Sequence, residues 1–522
     1  MAFSDFLHSL SRRDLFRGGS GLLAAPALLR GASTSGGPAA PTNIYESIGV
    51  RPIINCRGTY TVLSGSLELP QVRAAQDAAA QHYVQLDELM DGIGKRLAEL
   101  TGAEFGLVSA GCAAGLAHAT AACLAGGNPD RHVRIPDLTG FPKDEVIIPT
   151  HSRNEYDAAV RSTGVRIIEV STAEEYEAAL GPRVAMVYIL AGPNAETGPL
   201  TYDVLYSRAA ARNIPVLVDA AAEVLTVPNV HLKRGATLVG YSGGKCMRGP
   251  QCAGLLLGRK DLIRAAWVQS APHHGYSRSM KVGKEEAMGM LAAVEMWTKR
   301  DHKAEWDQWM TWMKRIGARV SSIDGVTTSI DEPNELSNHT PSLQVKWDTG
   351  KIGIRGGEVT EQLYNGTPRI ALFGRRDGVE IVAYMMSPGE DAIVADHLHA
   401  VLSSAVGRKL EENNTPASAD VNGEWDVHIT YAAGSSDHRL YLHQQDTHID
   451  GTHYGDYVAR DLSGAIHGTE VKFTSEVGER HGAALTYTFS GTAAADRMEG
   501  DLDLGEYLKA KWTAVRHAPS MG

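Results

Sequence analysis

Between Tyr45 and Gly407, short and nearly unbroken apolar runs alternate with longer stretches of helical periodicity. Phe105–Ser109, Val146–Pro149, Val165–Val170, Val184–Leu190, Val216–Val218 and Leu255–Leu257 have the Val/Ile/Leu texture of strands buried on both faces. Such strands, with helical stretches between them, predict an α/β domain: a mainly parallel sheet covered by helices on both sides. In sheets of that kind ligands sit beyond the carboxyl ends of the strands, so the residues just after each run are where chemistry is expected. A helical pattern from about Lys284 to Arg319 leads into a smaller α+β portion, with strands predicted at Ser342–Lys346 and Gly378–Tyr384.

The texture changes after Gly407. Residues 408–422 are polar, charged and turn-rich, the composition of a linker. From 423 to 522 apolar positions recur every second residue, as in Trp425–Tyr431, Val471–Thr474 and Ala484–Phe489. An apolar-x-Gly step returns at Ile449–Gly451, Leu462–Gly464, Phe489–Gly491 and Met498–Gly500. Closely spaced alternating strands with glycine turns predict an antiparallel meander that closes into a small barrel. Gly423-Glu-Trp425 at its start and Trp512 with Arg516 at its end resemble the closing residues of lipocalin-type barrels. The expected plan is a leader over 1–40, a large domain over 41–300, a small α+β domain over 301–407, a linker over 408–422 and an antiparallel β domain over 423–522.

At 522 residues, 43% hydrophobic and 21% charged, the chain has the make-up of a globular protein of several domains. Fifty Lys and Arg against 61 Asp and Glu leave a net charge of −11, which argues against a protein that grips nucleic acid through its phosphates. The five cysteines are scattered and form no CxxC pair, so neither a disulfide framework nor a metal site is predicted. Stable membrane insertion is not expected either, since no apolar run reaches the ~18 residues of a span. Ser11-Arg-Arg-Asp-Leu-Phe-Arg17, then weakly apolar Gly18–Leu29 and small residues to Ala40, resembles a twin-arginine export signal. This resemblance predicts a mature protein that starts near Pro41 and works in the periplasm or outside the cell.

Three pieces carry chemistry. Asp219 ends the apolar run of Val216–Val218; twenty-six residues on, Lys245 follows another run inside Ser242-Gly-Gly-Lys245. Upstream, Ser109-Ala-Gly111-Cys112-Ala113-Ala114-Gly115 leaves a third strand and opens a helix. Pyridoxal phosphate (PLP) needs such a set: a lysine for the Schiff base, an anion to keep the pyridine nitrogen protonated, and N–H groups at a helix N-terminus to hold the phosphate.

Here the chain resembles fold-type I PLP enzymes of the bacterial selenocysteine synthase (L-seryl-tRNA selenium transferase) type, including the amino-sugar-acid ammonia lyases. The likeness covers about residues 45–405 and is carried by Pro52–Asn55, Thr101–Glu104, Ser109–Ala114, Val218–Ala221, Ser242–Lys245 with Arg248–Gln251, and Met280–Glu285. It implies a Schiff-base role for Lys245, the pyridine-nitrogen partner in Asp219, phosphate contacts from Gly111, Cys112, Ala113 and Ser242, and a ring-covering role for His151. It also implies at least a homodimer, with Lys281 or Lys284 reaching a neighbour's phosphate. Arg369, in Thr367-Pro-Arg-Ile370, is the candidate clamp for a substrate carboxylate, with Arg57 and Arg278 as alternatives. The expected activity is α,β-elimination of ammonia from a small amino acid or amino-sugar acid, with an aminotransferase or a seryl-tRNA selenium transferase as the alternative.

Rival readings are weaker. Gly240-Tyr-Ser242-Gly-Gly244 matches the nucleophile elbow of serine hydrolases, but Gly249-Pro250 breaks the helix that must follow Ser242. Cys112 at a helix N-terminus is a conceivable nucleophile with a depressed pKa, though it reads better as a small residue tolerated by the phosphate loop. His438, His443, His448 and His453 recur every five residues, and odd spacing in strands sends successive side chains to opposite faces. His273-His274 precedes Arg278 in a loop the resemblance places near the site. A non-catalytic binding module, with the barrel holding a ligand, is the alternative of a different class.

Overall fold

The computed structural model describes residues 43–410, 413–478 and 484–518; the export-signal expectation falls on residues 1–40, outside them. Residues up to Pro52 make a unit of their own, whose described part holds one 3₁₀ turn, Glu46–Ile48. A short strand, β1 (Ile53–Asn55), opens the second unit. Seven strands follow: β2 (Phe105–Ser109), β3 (Glu145–Pro149), β4 (Arg166–Val170), β5 (Val184–Leu190), β6 (Val216–Asp219), β7 (Leu238–Ser242) and β8 (Gly254–Gly258). They form one sheet in the order β2-β8-β7-β6-β5-β3-β4.

The pairings are parallel from β4 through β7, and β8 runs against both of its neighbours. β2 therefore points the same way as β7, and Ser109, Asp219 and Ser242 end their strands on one edge of the sheet. The apolar runs are buried throughout in β2, β3, β6 and β8, as strands covered on both faces require. The helical pattern from Lys284 is two helices, Lys284–Trp297 and His302–Val320, interrupted around Asp301, whose carboxylate caps the second.

The small domain has its own core and a four-stranded sheet, with the order β12-β13-β10-β9. Its strands are β9 (Val326–Asp331), β10 (Ser342–Trp347), β11 (Arg369–Ala371), β12 (Phe373–Arg375) and β13 (Gly378–Val382), β11 standing apart from the four. β11 instead pairs in parallel with β1, and Ile54 and Cys56 are buried in the small-domain core. A strand that begins the second unit thus crosses over to pair with a strand of the small domain.

Beyond the linker, β14 (Gly423–Thr430), β15 (Ser435–Gln445), β16 (His448–Tyr454), β17 (Ala459–His467), β18 (Glu470–Gly478), β19 (Ala484–Ala493), β20 (Arg497–Asp503) and β21 (Lys509–Arg516) form a closed barrel in sequence order. The two ends meet where the sequence pointed: Trp425 pairs with Arg516, whose guanidinium lies 4.6 Å from the Trp425 ring centre. Gly464 and Gly500 are needed because a Cβ would come within 2.2 Å and 2.0 Å of carbonyl oxygens on the neighbouring strands.

Candidate active site

Asp219, 2% exposed, is the last residue of β6 and is gripped on both oxygens. Tyr188 donates its hydroxyl to Oδ2 at 2.9 Å, and the Ala221 N–H donates to Oδ1 at 3.1 Å. The Cys112 thiol lies 3.7 Å from Oδ1. Asn154 Nδ2 donates to the Tyr188 oxygen at 3.1 Å and to Ser152 O at 2.8 Å, so the tyrosine is itself held in place. Burial pushes the Asp219 carboxyl up, while the Tyr188 and Ala221 hydrogen bonds and the charge of Lys245 pull it partway back. A cation placed against this carboxylate would complete the compensation, which is what a protonated pyridine nitrogen offers.

The anion cradle follows β2. Gly111 turns the chain with φ 90°, which favours glycine, and the Cys112–Ala125 helix begins immediately after it. The first N–H groups of that helix have no partner within it, so those of Cys112 and Ala113 are free to hold a phosphate. Gly254 on β8 lets the loop approach closely, since a Cβ there would come within 2.3 Å of the Gly111 carbonyl carbon. The Cys112 thiol does not have the depressed pKa of a nucleophile: burial and the neighbouring Asp219 charge both push it up, overriding the helix terminus.

Lys245 follows Ser242 in a tight turn and not in a helix, which removes the nucleophile-elbow reading. The glycines before it answer to packing: a Cβ on Gly243 would come within 2.6 Å of Met290 Sδ, and one on Gly244 within 2.6 Å of Gln251 Cα. Lys245 lines two cavities. One, about 680 Å³, is walled by Trp297, Trp306, Trp309 and Trp312 with Tyr384; the other, about 770 Å³, by Arg57, Tyr60, Tyr156, Phe373 and Arg375, again with Tyr384.

Of the three candidate carboxylate clamps, the structure brings Arg57 to Lys245. Its guanidinium lies over the Phe373 and Tyr60 rings at 4.7 and 5.3 Å, and its Nε is buried without a hydrogen-bond partner. Arg369, the first candidate, stands at the start of β11 with its guanidinium on the Tyr364 ring, 4.7 Å away, and it lines neither cavity. Arg278 lines neither cavity and sits in the loop closed by its N–H to Gly275 O. His273 is 3.1 Å from Asp87 and edge-on to Trp267, and it lines neither cavity.

His151 lies in the Thr150–Ser152 turn after β3, with Nε2 buried and unpartnered; burial lowers its pKa, so the ring is neutral. An orphaned imidazole nitrogen, a buried carboxylate, free helix N–H groups and a lysine after a neighbouring strand fit pyridoxal phosphate. Tyr188 and Asn154 were missed in the sequence. The one available signal was a polar ring in the otherwise aliphatic run Val184–Leu190.

No family model matches the chain. It is 29% identical over 378 residues to a D-glucosaminate-6-phosphate ammonia lyase of Salmonella typhimurium, covering 70% of this chain and 99% of the relative. It is 30% identical over 369 residues to a 5'-C-glycyluridine monooxygenase-decarboxylase of a Streptomyces species, covering 67% and 90%. An L-seryl-tRNA(Sec) selenium transferase of Proteus mirabilis matches at 25% over 49% of this chain and 58% of the relative. A solved D-glucosaminate-6-phosphate ammonia-lyase superposes with a TM-score of 0.63 at 27% identity, over 70% of this chain and all of that one. With the PLP-type fold and the arrangement of Lys245, Asp219 and the Gly111 loop, these likenesses identify the chain as a PLP-dependent enzyme, of lyase or transferase kind, belonging to the selenocysteine-synthase-like family that includes the amino-sugar-acid ammonia lyases.

Proposed function

We propose that the protein is an exported ammonia lyase that acts on a small amino acid or amino-sugar acid bearing a leaving group on Cβ. The observation that carries this reading is the place of Lys245: it opens onto a cavity that holds an unpaired, ring-stacked arginine among the described residues, with the Asp219 carboxylate buried nearby. The first-named relative, an ammonia lyase for an amino-sugar acid, supports the same chemistry.

Pyridoxal phosphate, when bound, supplies an electron sink for charge developing at the substrate α-carbon. Gly111, Cys112, Ala113 and Ser242 would hold its phosphate, Asp219 its ring nitrogen, and His151 its ring face. Arg57 binds the substrate carboxylate through two parallel N–H bonds, which fixes Cα toward Lys245. The Lys245 amine takes the proton from Cα, a step for which a positioned base contributes ~10²–10⁴-fold. Hydroxide then leaves Cβ and departs with a proton as water, and water hydrolyses the resulting 2-imino acid to a 2-keto acid and ammonia, so that the water lost and the water taken up cancel. The tryptophan-walled cavity, which Lys245 also lines, accepts the rest of the substrate. The reading includes a homodimer or larger homo-oligomer and export through the residue 11–17 signal.

The purified protein should be offered D-glucosaminate, its 6-phosphate, serine and threonine. Ammonia and a 2-keto acid in equal amounts are expected from at least one. Amino-group exchange with a keto acid, without net ammonia, would make it an aminotransferase.

A further inference from the structure

The interior of the barrel is divided. One part is dry: Trp425, Phe473, Phe489 and Trp512 pack together, with Phe473 stacked on Phe489 at 4.9 Å between centroids. The end bounded by the described connections 431–434, 455–458 and 504–508 is polar. There Tyr431 Oη, Ser436 Oγ and His438 Nε2 follow one another at 2.7 and 2.9 Å. His438 Nδ1 meets His453 Nε2 at 2.8 Å, and His453 Nδ1 meets Ser475 Oγ at 2.7 Å. The five-residue spacing in the sequence hid this pair, because His443 and His448 point outward beside Asp450 while His438 and His453 point in.

Burial holds both inward histidines neutral. Two hydroxyls, two imidazoles and a further hydroxyl then carry five polar hydrogens for four links, which leaves one hydrogen at an end of the chain, on Tyr431 or Ser475, outside the row. A cation stands against this row. Arg460 is 6% exposed, with its guanidinium 4.9 Å from the Tyr487 ring centre. Its Nε is buried without a partner, and its one hydrogen bond among the described residues is a long 3.5 Å contact from Nη1 to Val458 O. Asp456, half-exposed, comes within 3.8 Å of His438 Nε2 but makes no ion pair with Arg460. Gly455 leaves room for the guanidinium, since a Cβ there would come within 2.5 Å of Nη1.

A buried guanidinium without a counter-ion is costly, and natural structures compensate such a charge. What is missing is an acceptor with two oxygens to match the fork. We propose that the polar mouth of the barrel is a binding site for a small-molecule oxyanion, held by Arg460 and by hydroxyls of the Tyr431–Ser475 row and Tyr487. A carboxylate of an organic acid and a free phosphate present the same group, and the site takes either by this chemistry. Glu506, on the connection 504–508 at this mouth, lies close enough to Tyr156 of the Arg57 cavity for its charge to raise the tyrosine pKa, so the mouth neighbours the catalytic cavity. The inference stands apart from the lyase reading and is tested by binding, not turnover.

Calorimetric titration of the full-length, PLP-loaded protein with sodium gluconate, and separately with sodium phosphate, reads it directly. Saturable binding of at least one is expected, and the one that binds names the source. Arg460→Met should weaken that binding at least tenfold, keep the reducible pyridoxyl adduct on Lys245, and melt without ligand no lower than the parent, because an uncompensated charge has gone. Tyr487→Phe, which keeps the ring, should weaken binding several-fold and decides the matter if the first variant does not fold. Absence of saturable binding to both anions, parental affinity in a folded Arg460→Met, or, where that variant does not fold, parental affinity in Tyr487→Phe would each overturn the proposal.

Discussion

At the scale of single residues the proposed chemistry depends on one amine, Lys245, and one carboxylate, Asp219. Lys245→Ala should remove both turnover and the borohydride-reducible pyridoxyl adduct, read by mass spectrometry of the peptide around residue 245. Tyr188→Phe tests the less obvious half. Without its hydroxyl, Asp219 loses the donor on Oδ2 and its carboxyl rises further toward the neutral form. A hydrogen bond to a charged group is worth roughly 1.5–3 kcal/mol, so kcat should fall about tenfold or more with little change in KM. Arg57→Lys should do the reverse, raising KM about tenfold by exchanging a two-pronged donor for a point charge.

Within the elements, closure of the barrel rests on Trp425, fully buried, with its Nε1 donating to Val421 O at 2.9 Å and Arg516 across its ring. Trp425→Ala should cost about 3–5 kcal/mol, measured by denaturant unfolding followed through the barrel. Acid should act on buried histidines in two places. Burial lowers His118 to about 4 and His453 to about 3, the latter helped by His438 and Arg460. The unfolded chain takes up protons below ~6.5 while the folded chain does not. Stability is therefore full above that pH and falls below it, by about 1.4 kcal/mol per pH unit for each histidine until its folded value is reached. Melting temperatures at pH 7 and pH 5 should differ accordingly, and His453→Leu should reduce the difference.

For the whole molecule, the linker is the place where the two architectures part. Arg408 and Lys409 are exposed, and the barrel hydrogen-bonds within itself from β14 round to β21. Brief trypsin treatment should cut there first, leaving a barrel fragment and a PLP-domain fragment that keeps the Lys245 adduct.

Much of this was open to a reader of the chain alone, for a physical reason. Strand and helix period, the glycine turn before Lys245, the carboxylate ending β6 and the alternation of the barrel are local properties, written in neighbouring side chains. Which distant residues meet is another matter. Tyr188 reaches Asp219 only because β5 and β6 pair in parallel with Leu190 beside Asp219. Arg57 shares a cavity with Lys245 just beyond β1, a strand that crosses to pair with β11, a contact without any local signature. His438 and His453 touch because β15 and β16 align Leu440 with His453 and bring both imidazoles inside. Register and crossing are settled by packing the whole chain at once, so the order of the candidate cofactor residues could be read from the sequence, while the contacts around Asp219 and the arginine that shares the Lys245 cavity waited for the fold.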